Sequence, residues 1–146
     1  MRYLLDVNVL IALLDRDHVH SDVAHSWWAG EDHNRFATCP LVENGAIRIL
    51  SNPNYSSTAK FTAKQVIEKL GEFVKLFDHE FWSEDLSLRD DEVFLADKIY
   101  GPRQITDIYL LALANKNDGC LVTFDTGIPT SALVNSNPNS LDVLDT

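Results

Sequence analysis

Tyr3-Leu4-Leu5-Asp6-Val7-Asn8-Val9-Leu10-Ile11-Ala12-Leu13-Leu14 is apolar throughout except at Asp6 and Asn8. Tyr3-Leu4-Leu5 reads as a short buried strand that stops at Asp6. Val7 to Leu14 reads as a buried helix, ended by Asp15-Arg16-Asp17. A carboxylate between Leu5 and Val7 in so apolar a junction is desolvated unless it has a partner, so Asp6 is the first candidate for function.

The strand-then-helix pattern recurs outward from this segment. Val19, Val23 and Trp27 recur at intervals of four and predict a second helix ending near Gly30, followed by a strand at Phe36-Ala37-Thr38. Pro40 suits the first turn of a third helix, which carries Leu41, Ile47 and Leu50 and ends at Ser51-Asn52-Pro53. Phe61, Val66, Ile67, Leu70, Phe73, Val74 and Phe77 outline a long fourth helix, and Phe81-Trp82 a strand. Val93, Leu95, Ala96 and Ile99 predict a fifth helix closed by Gly101-Pro102. Thr106 is read as the cap of a sixth, running to Asn117, and Leu121 to Phe124 as another buried strand. Apolar strands alternating with helices predict one α/β domain over residues 1–146, with a central, mostly parallel sheet of four or five strands. Ligands of such sheets bind beyond the carboxyl ends of the strands.

Composition narrows the possibilities. The 146 residues carry 12 Lys and Arg against 22 Asp and Glu, a formal charge of −10, which argues against broad electrostatic capture of nucleic acid or of an anionic membrane. No apolar run approaches the roughly 20 residues that span a bilayer, and Met1-Arg2-Tyr3 enters a strand without a signal-peptide pattern, so a cytoplasmic protein is expected. Cys39 and Cys120 belong to no C-x-x-C pair and are expected to be free, buried thiols at opposite edges of the sheet.

The sheet-edge rule then selects acids. Asp6 follows the first strand, Asp125 follows Leu121 to Phe124, Asp107 opens the sixth helix, and Glu43 lies in the first turn of the third. Four carboxylates converging on one edge repel one another and stay ionised together only when hard cations neutralise them, which implies Mg²⁺ or Mn²⁺.

In these pieces the chain resembles the PIN-domain ribonucleases, and among them the VapC toxins of bacterial toxin-antitoxin pairs. The resemblance rests on Leu5-Asp6-Val7-Asn8-Val9-Leu10, on Cys39-Pro40-Leu41-Val42-Glu43-Asn44-Gly45 with Arg48 to Pro53, on Ile105-Thr106-Asp107 with Leu110 to Ala114, and on Thr123-Phe124-Asp125. It implies a PIN-like α/β/α sandwich in which Asp6, Glu43, Asp107 and Asp125 form the acidic metal-binding set, supported by Asn8, Thr106 and Thr123. It also implies endonucleolytic cleavage of RNA leaving a 5′-phosphate and a 3′-hydroxyl, a cognate antitoxin as partner, and pairing of the chain with itself.

A divalent ion activates water and stabilises a leaving oxygen, so no protein nucleophile is required. A phosphatase with Asp6 as covalent nucleophile is the alternative enzyme, but Asn8 stands where that chemistry expects a second Asp; a PIN-fold module that binds without cutting is the other alternative. His18, His20, His25 and His33 cluster around the second helix, far in the chain from the acids, and are read as solvated. Lys60, Lys64, Lys69 and Lys75, placed on the fourth helix, together with Arg48 and Arg103, are the candidate phosphate contacts. With so acidic a chain, an RNA read by its shape is expected rather than RNA at large. Trp27 and Trp28 are expected to leave one ring facing a groove for a partner.

Overall fold

A computed structural model of the chain describes residues 1–30 and 32–146. Its strands are β1 (Tyr3–Leu5), β2 (Arg35–Thr38), β3 (Asp78–Phe81), β4 (Cys120–Thr123) and β5 (Leu141–Val143). All pair in parallel, in the order β3-β2-β1-β4-β5. Central β1 is read correctly from its unbroken apolar character: Leu4 and Leu5 are wholly buried, as are Phe36 and Ala37 of β2 and Leu121 and Val122 of β4.

The helices are α1 (Val7–Leu14), α2 (Ser21–Trp28), α3 (Pro40–Leu50), α4 (Ala63–Leu76) and α5 (Ile105–Lys116). Every residue of α1 from Val9 to Leu14 is buried, because the helix is enclosed by α2, α3 and α4 as well as by the sheet. From β1 the chain steps outward through β2 to β3, then returns to β4 on the other side of β1. Right-handed crossovers therefore put α1 to α4 on one face of the sheet and α5 on the other. The strand order reverses between β1 and β4, which opens a crevice at their carboxyl ends.

Four sequence expectations change. The fifth predicted helix is absent: Val93 lies in a turn, Phe94 and Leu95 are bridged and extended, and Ala96–Lys98 makes a single 3₁₀ turn. Phe94 forms an antiparallel bridge to Leu133, and the Leu95 N–H donates to the Ala132 carbonyl, so these apolar side chains serve a tertiary pairing rather than a helical face. The third strand lies at Asp78–Phe81, so it includes Phe81 of the predicted Phe81-Trp82 segment but starts three residues earlier and stops before Trp82. Its first three residues, Asp78, His79 and Glu80, are polar, and this edge strand is held by Arg2, which pairs with Asp78 and Glu80, and by Arg35, which pairs with Asp78. Thr106 does not cap α5: a 3₁₀ turn at Pro102–Gln104 runs straight into the helix and places Thr106 and Asp107 in its first turn. The fourth helix does begin with a side-chain cap, a reciprocal Thr62 and Gln65 capping box, which leaves Lys60 outside it. β5 had no sequence signal of its own.

Cys39 and Cys120 are free and buried. Burial pushes both thiols up to about 12, so neither is a thiolate near neutral pH. Among the described residues no helix is long and apolar enough to cross a membrane.

Gly119 joins α5 to β4 where no side chain fits: a Cβ there would lie 2.7 Å from the Arg2 carbonyl oxygen and 2.8 Å from the Trp82 ring. Gly119→Ala is expected to cost about 2 kcal/mol in urea unfolding, since backbone must shift to admit the methyl group. An unchanged midpoint would show that the junction yields freely.

Candidate active site

Asp6 leaves β1 in extended conformation and becomes the N-cap of α1. Its Oδ1 accepts the Val7 N–H at 2.7 Å, and its Oδ2 accepts the Thr123 hydroxyl at 2.7 Å. With 7% of its surface exposed, its carboxyl is pushed above the usual range by burial, against the pull of those two hydrogen bonds. Thr123 ends β4 and is wholly buried; while donating to Asp6, its oxygen accepts the Asp125 N–H at 3.0 Å. Asp125 in turn accepts the Gly127 N–H at 2.8 Å, an Asx turn that ends the strand.

Asp107 projects from the first turn of α5 toward this pair. Burial first, then the Asp6 charge and contact with Asp125, push its carboxyl up to about 7. Among the described residues, none of these three acids is ion-paired with Lys or Arg.

The three acids line an open cavity of about 550 Å³. Asn8, Thr106 and Thr123 line it as well, as do Asn44, Gly45 and Arg48 of α3. Close approach of α3 depends on Gly45, where a Cβ would stand 3.0 Å from Val7 Cγ2. Glu43 is placed differently. Its Oε2 accepts the Thr38 hydroxyl at 2.5 Å, at the end of β2, and its side chain is not part of the cavity wall although Asn44 beside it is. Thus Asp6, Asp107 and Asp125 share one cavity, and Glu43 is held at the neighbouring strand end.

The candidate phosphate contacts separate in the same way. Arg48 is exposed and is the one cationic side chain in the cavity wall among the described residues. Lys60 precedes α4 and donates to the Pro53 and Ser56 carbonyls, so the expected helical track loses a member. Lys64 stands 3.9 Å from Glu68, and Arg103 is exposed on the Pro102–Gln104 turn; neither lines the cavity.

Glu84 was missed by sequence reasoning. It lines the cavity, and its Oε2 accepts the Leu41 N–H at 2.5 Å. It supplies the cap that Cys39, the N-cap residue of α3, does not. The uncapped Cys39-Pro40 start was the available signal, but it cannot say which distant residue answers it. The histidines also depart from the solvated reading: His33 stacks on Trp27 with ring centroids 4.4 Å apart, and His20 lies 5.0 Å from Phe124. Trp27 and Trp28 are both half-buried. Trp27 donates to Asp142, and Trp28 packs among Phe36, Phe73 and Phe77, so both rings are engaged within the fold.

The donor set suits a hard divalent ion: mutually repelling carboxylate oxygens that, among the described residues, are ion-paired with no Lys or Arg. Among the described residues no three carboxylate, imidazole or thiol groups already stand at ligand distances around one point.

A model of the PIN domain family matches residues 3–132. The chain is 41% identical over 144 residues to Ribonuclease VapC44 of Mycobacterium tuberculosis (strain ATCC 25618 / H37Rv), covering 99% of this chain and all of that protein. It is 39% identical over 132 residues to Ribonuclease VapC39 of the same strain, covering 90% of this chain and 94% of that protein. The fold is similar to that of VapBC2 from Rickettsia felis bound to a DNA fragment from their promoter, with TM-score 0.60, 17% identity, and coverage of 99% of this chain and all of that one. It is also similar to that of Mycobacterium tuberculosis VapC20, a sarcin-ricin loop cleaving toxin, with TM-score 0.58, 13% identity, and coverage of 93% and 99%. With the acids of β1, α5 and β4 gathered at the sheet's switch point and full-length similarity to curated relatives, the chain belongs to the PIN-domain family, among its VapC-type ribonucleases.

Proposed function

We propose that the protein is the toxin of a toxin-antitoxin pair and cuts RNA endonucleolytically at the cavity lined by Asp6, Asp107 and Asp125, with Mg²⁺ or Mn²⁺ as cofactor. The observation that carries this reading is that Asp6, Asp107 and Asp125, brought together from the ends of β1 and β4 and the first turn of α5, line one cavity, where burial and the other two acids push the Asp107 carboxyl up. When bound, a divalent ion supplies activated water and charge compensation at the leaving oxygen.

The chain's own residues prepare the site. Thr123 fixes one Asp6 oxygen and, through its other bond, the backbone of Asp125, so two acids are set by one buried hydroxyl. Asp107 brings the third from the opposite face of the sheet. Glu43, in the first turn of α3 and bonded to Thr38 at the end of β2, is the fourth member of the proposed ligand set. Asn8 and Thr106 add neutral polar atoms to the wall, and Arg48 presents a guanidinium to a phosphate that must enter an otherwise acidic cavity. Both Asp6 oxygens are already engaged, which suits a fixed ligand better than the attacking nucleophile of a phosphatase.

With a net charge of −10, capture of RNA rests on local contacts and shape, which favours a structured substrate. A cognate antitoxin and a second copy of the chain are its proposed partners.

Incubation of purified protein with total RNA tests the reading. Discrete cuts bearing 5′-phosphate and 3′-hydroxyl ends are expected with Mg²⁺ or Mn²⁺, and none with EDTA. Cutting that persists in chelator, or release of inorganic phosphate without metal, would overturn it. Arg48→Ala is expected to raise KM roughly tenfold while kcat stays within about threefold, as loss of one charge-assisted contact to bound substrate implies. A fall confined to kcat would move Arg48 from substrate binding to the chemical step.

A further inference from the structure

Thr38, the last residue of β2, is wholly buried, and its hydroxyl has two partners: Glu43 Oε2 at 2.5 Å and His79 Nε2 at 2.7 Å. A threonine hydroxyl has one hydrogen to give. The Glu43 carboxylate only accepts, so Thr38 donates to Glu43 and must accept from His79, which requires the proton of the His79 ring on Nε2. Burial, with the Arg2 charge nearby, holds that ring below the usual histidine range and so neutral near pH 7. The chain of donors therefore runs one way, from β3 through β2 to α3. Glu43 Oε1 has no protein partner among the described residues.

The same device stands at the neighbouring strand end. Thr123, the last residue of β4 and equally buried, donates to Asp6 Oδ2. β2 and β4 flank β1. Each ends in a buried threonine that donates to one oxygen of one acid; the other oxygen of Asp6 accepts the Val7 N–H.

We infer that His79 and Thr38 are positioning residues that fix the Glu43 carboxylate for metal binding, His79 by locking the direction in which the Thr38 hydroxyl points. This deepens the metal-dependent reading and rests on it. Groups that orient a ligand carboxylate typically contribute 10- to 100-fold in metal affinity when removed.

Mn²⁺ titration by calorimetry, with melting temperature measured on the same samples, tests the inference without reference to cleavage. His79→Leu removes the donor and is expected to weaken Mn²⁺ binding about tenfold. His79→Gln, whose amide nitrogen can donate from a similar position, is expected to restore affinity to within about threefold. Thr38→Ser keeps the hydroxyl and should resemble wild type. A purely packing role would make Leu and Gln lose melting temperature without this split in affinity. His79→Leu that binds Mn²⁺ like wild type, or His79→Gln no better than Leu, would overturn the positioning role while leaving the metal reading in place. Wild-type protein that takes up no Mn²⁺ would overturn both, so the two failures are distinguishable.

Discussion

Asp107→Asn is expected to abolish RNA cleavage and at the same time to raise the melting temperature of the metal-free protein. The loss of activity should be at least about a hundredfold, because a carboxylate that would hold the ion is replaced by a neutral amide. The gain in stability has a separate cause. Asp107 ordinarily titrates at 3.8 and is raised to about 7 in the fold, so ionising it costs free energy in the folded state only. For a raised carboxyl, the favourable contribution is complete below the unfolded value and is lost as pH rises through the folded one. At pH 8 in EDTA the wild-type protein therefore carries the full penalty, and the variant carries none.

Because Asp107 is half-exposed, solvent screens much of that penalty. The gain is expected to be roughly 1 kcal/mol, about 2–4 °C in a domain of this size. At pH 5 the folded protein keeps the Asp107 proton while the unfolded chain has mostly lost its own, so about a third of the gain should remain, vanishing only below about 3.8. Saturating Mg²⁺ should reverse the order at pH 8, since an ion that binds only the folded wild type stabilises it by mass action. Thermal melts at the two pH values, with and without metal, check all three statements. A variant less stable than wild type at pH 8 in EDTA would show that the acids do not repel as their placement implies.

Thr123→Val should have the largest effect on stability of any single change near the site. Valine fills the same volume, so the core is not opened, but two buried bonds disappear together. Asp6 Oδ2 loses its donor in a nearly solvent-free setting, and the Asp125 N–H loses its acceptor. Unpaired buried polar and charged groups cost about 1–3 kcal/mol each, so a loss of about 3 kcal/mol, near 10 °C, is expected. Cleavage should fall with it even at temperatures where the protein stays folded, because the two acids are no longer set relative to each other. Thr123→Ser, which keeps the hydroxyl and removes one methyl group, is expected to retain most of both. If valine and serine destabilise equally, the methyl packing and not the hydroxyl holds this corner, and the account of Asp6 fails.

The contrast between Asp6 and Glu84 shows what is legible in such a chain. Asp6 is conspicuous because it interrupts an apolar run at a strand-to-helix junction, and the interruption itself signals cost. Glu84 lies in an irregular polar stretch, where a glutamate costs nothing and signals nothing, yet it lines the same cavity and caps α3. Thr38 and His79 escaped notice for the same reason. Threonine at the end of a strand and histidine on a polar edge strand are locally unremarkable, and their meaning comes from the bond between them.

By itself the sequence determined the alternation of strands and helices, the buried character of α1 and of β1, β2 and β4, and which acids end up near the carboxyl edge of the sheet. Those properties follow from periodicity and from the cost of burying charge, which act over a few residues. Only the tertiary structure decided that Val93 to Ile99 forms no α-helix, that Asp78–Phe81 joins the sheet as an edge, and that β5 pairs beside β4. It also decided that Asp6, Asp107 and Asp125 share one cavity while Glu43 rests against Thr38. Each of these outcomes is a pairing between residues distant in the chain. Local pattern carries no record of such pairings, because the free energy that selects them is gained only when the distant partner arrives.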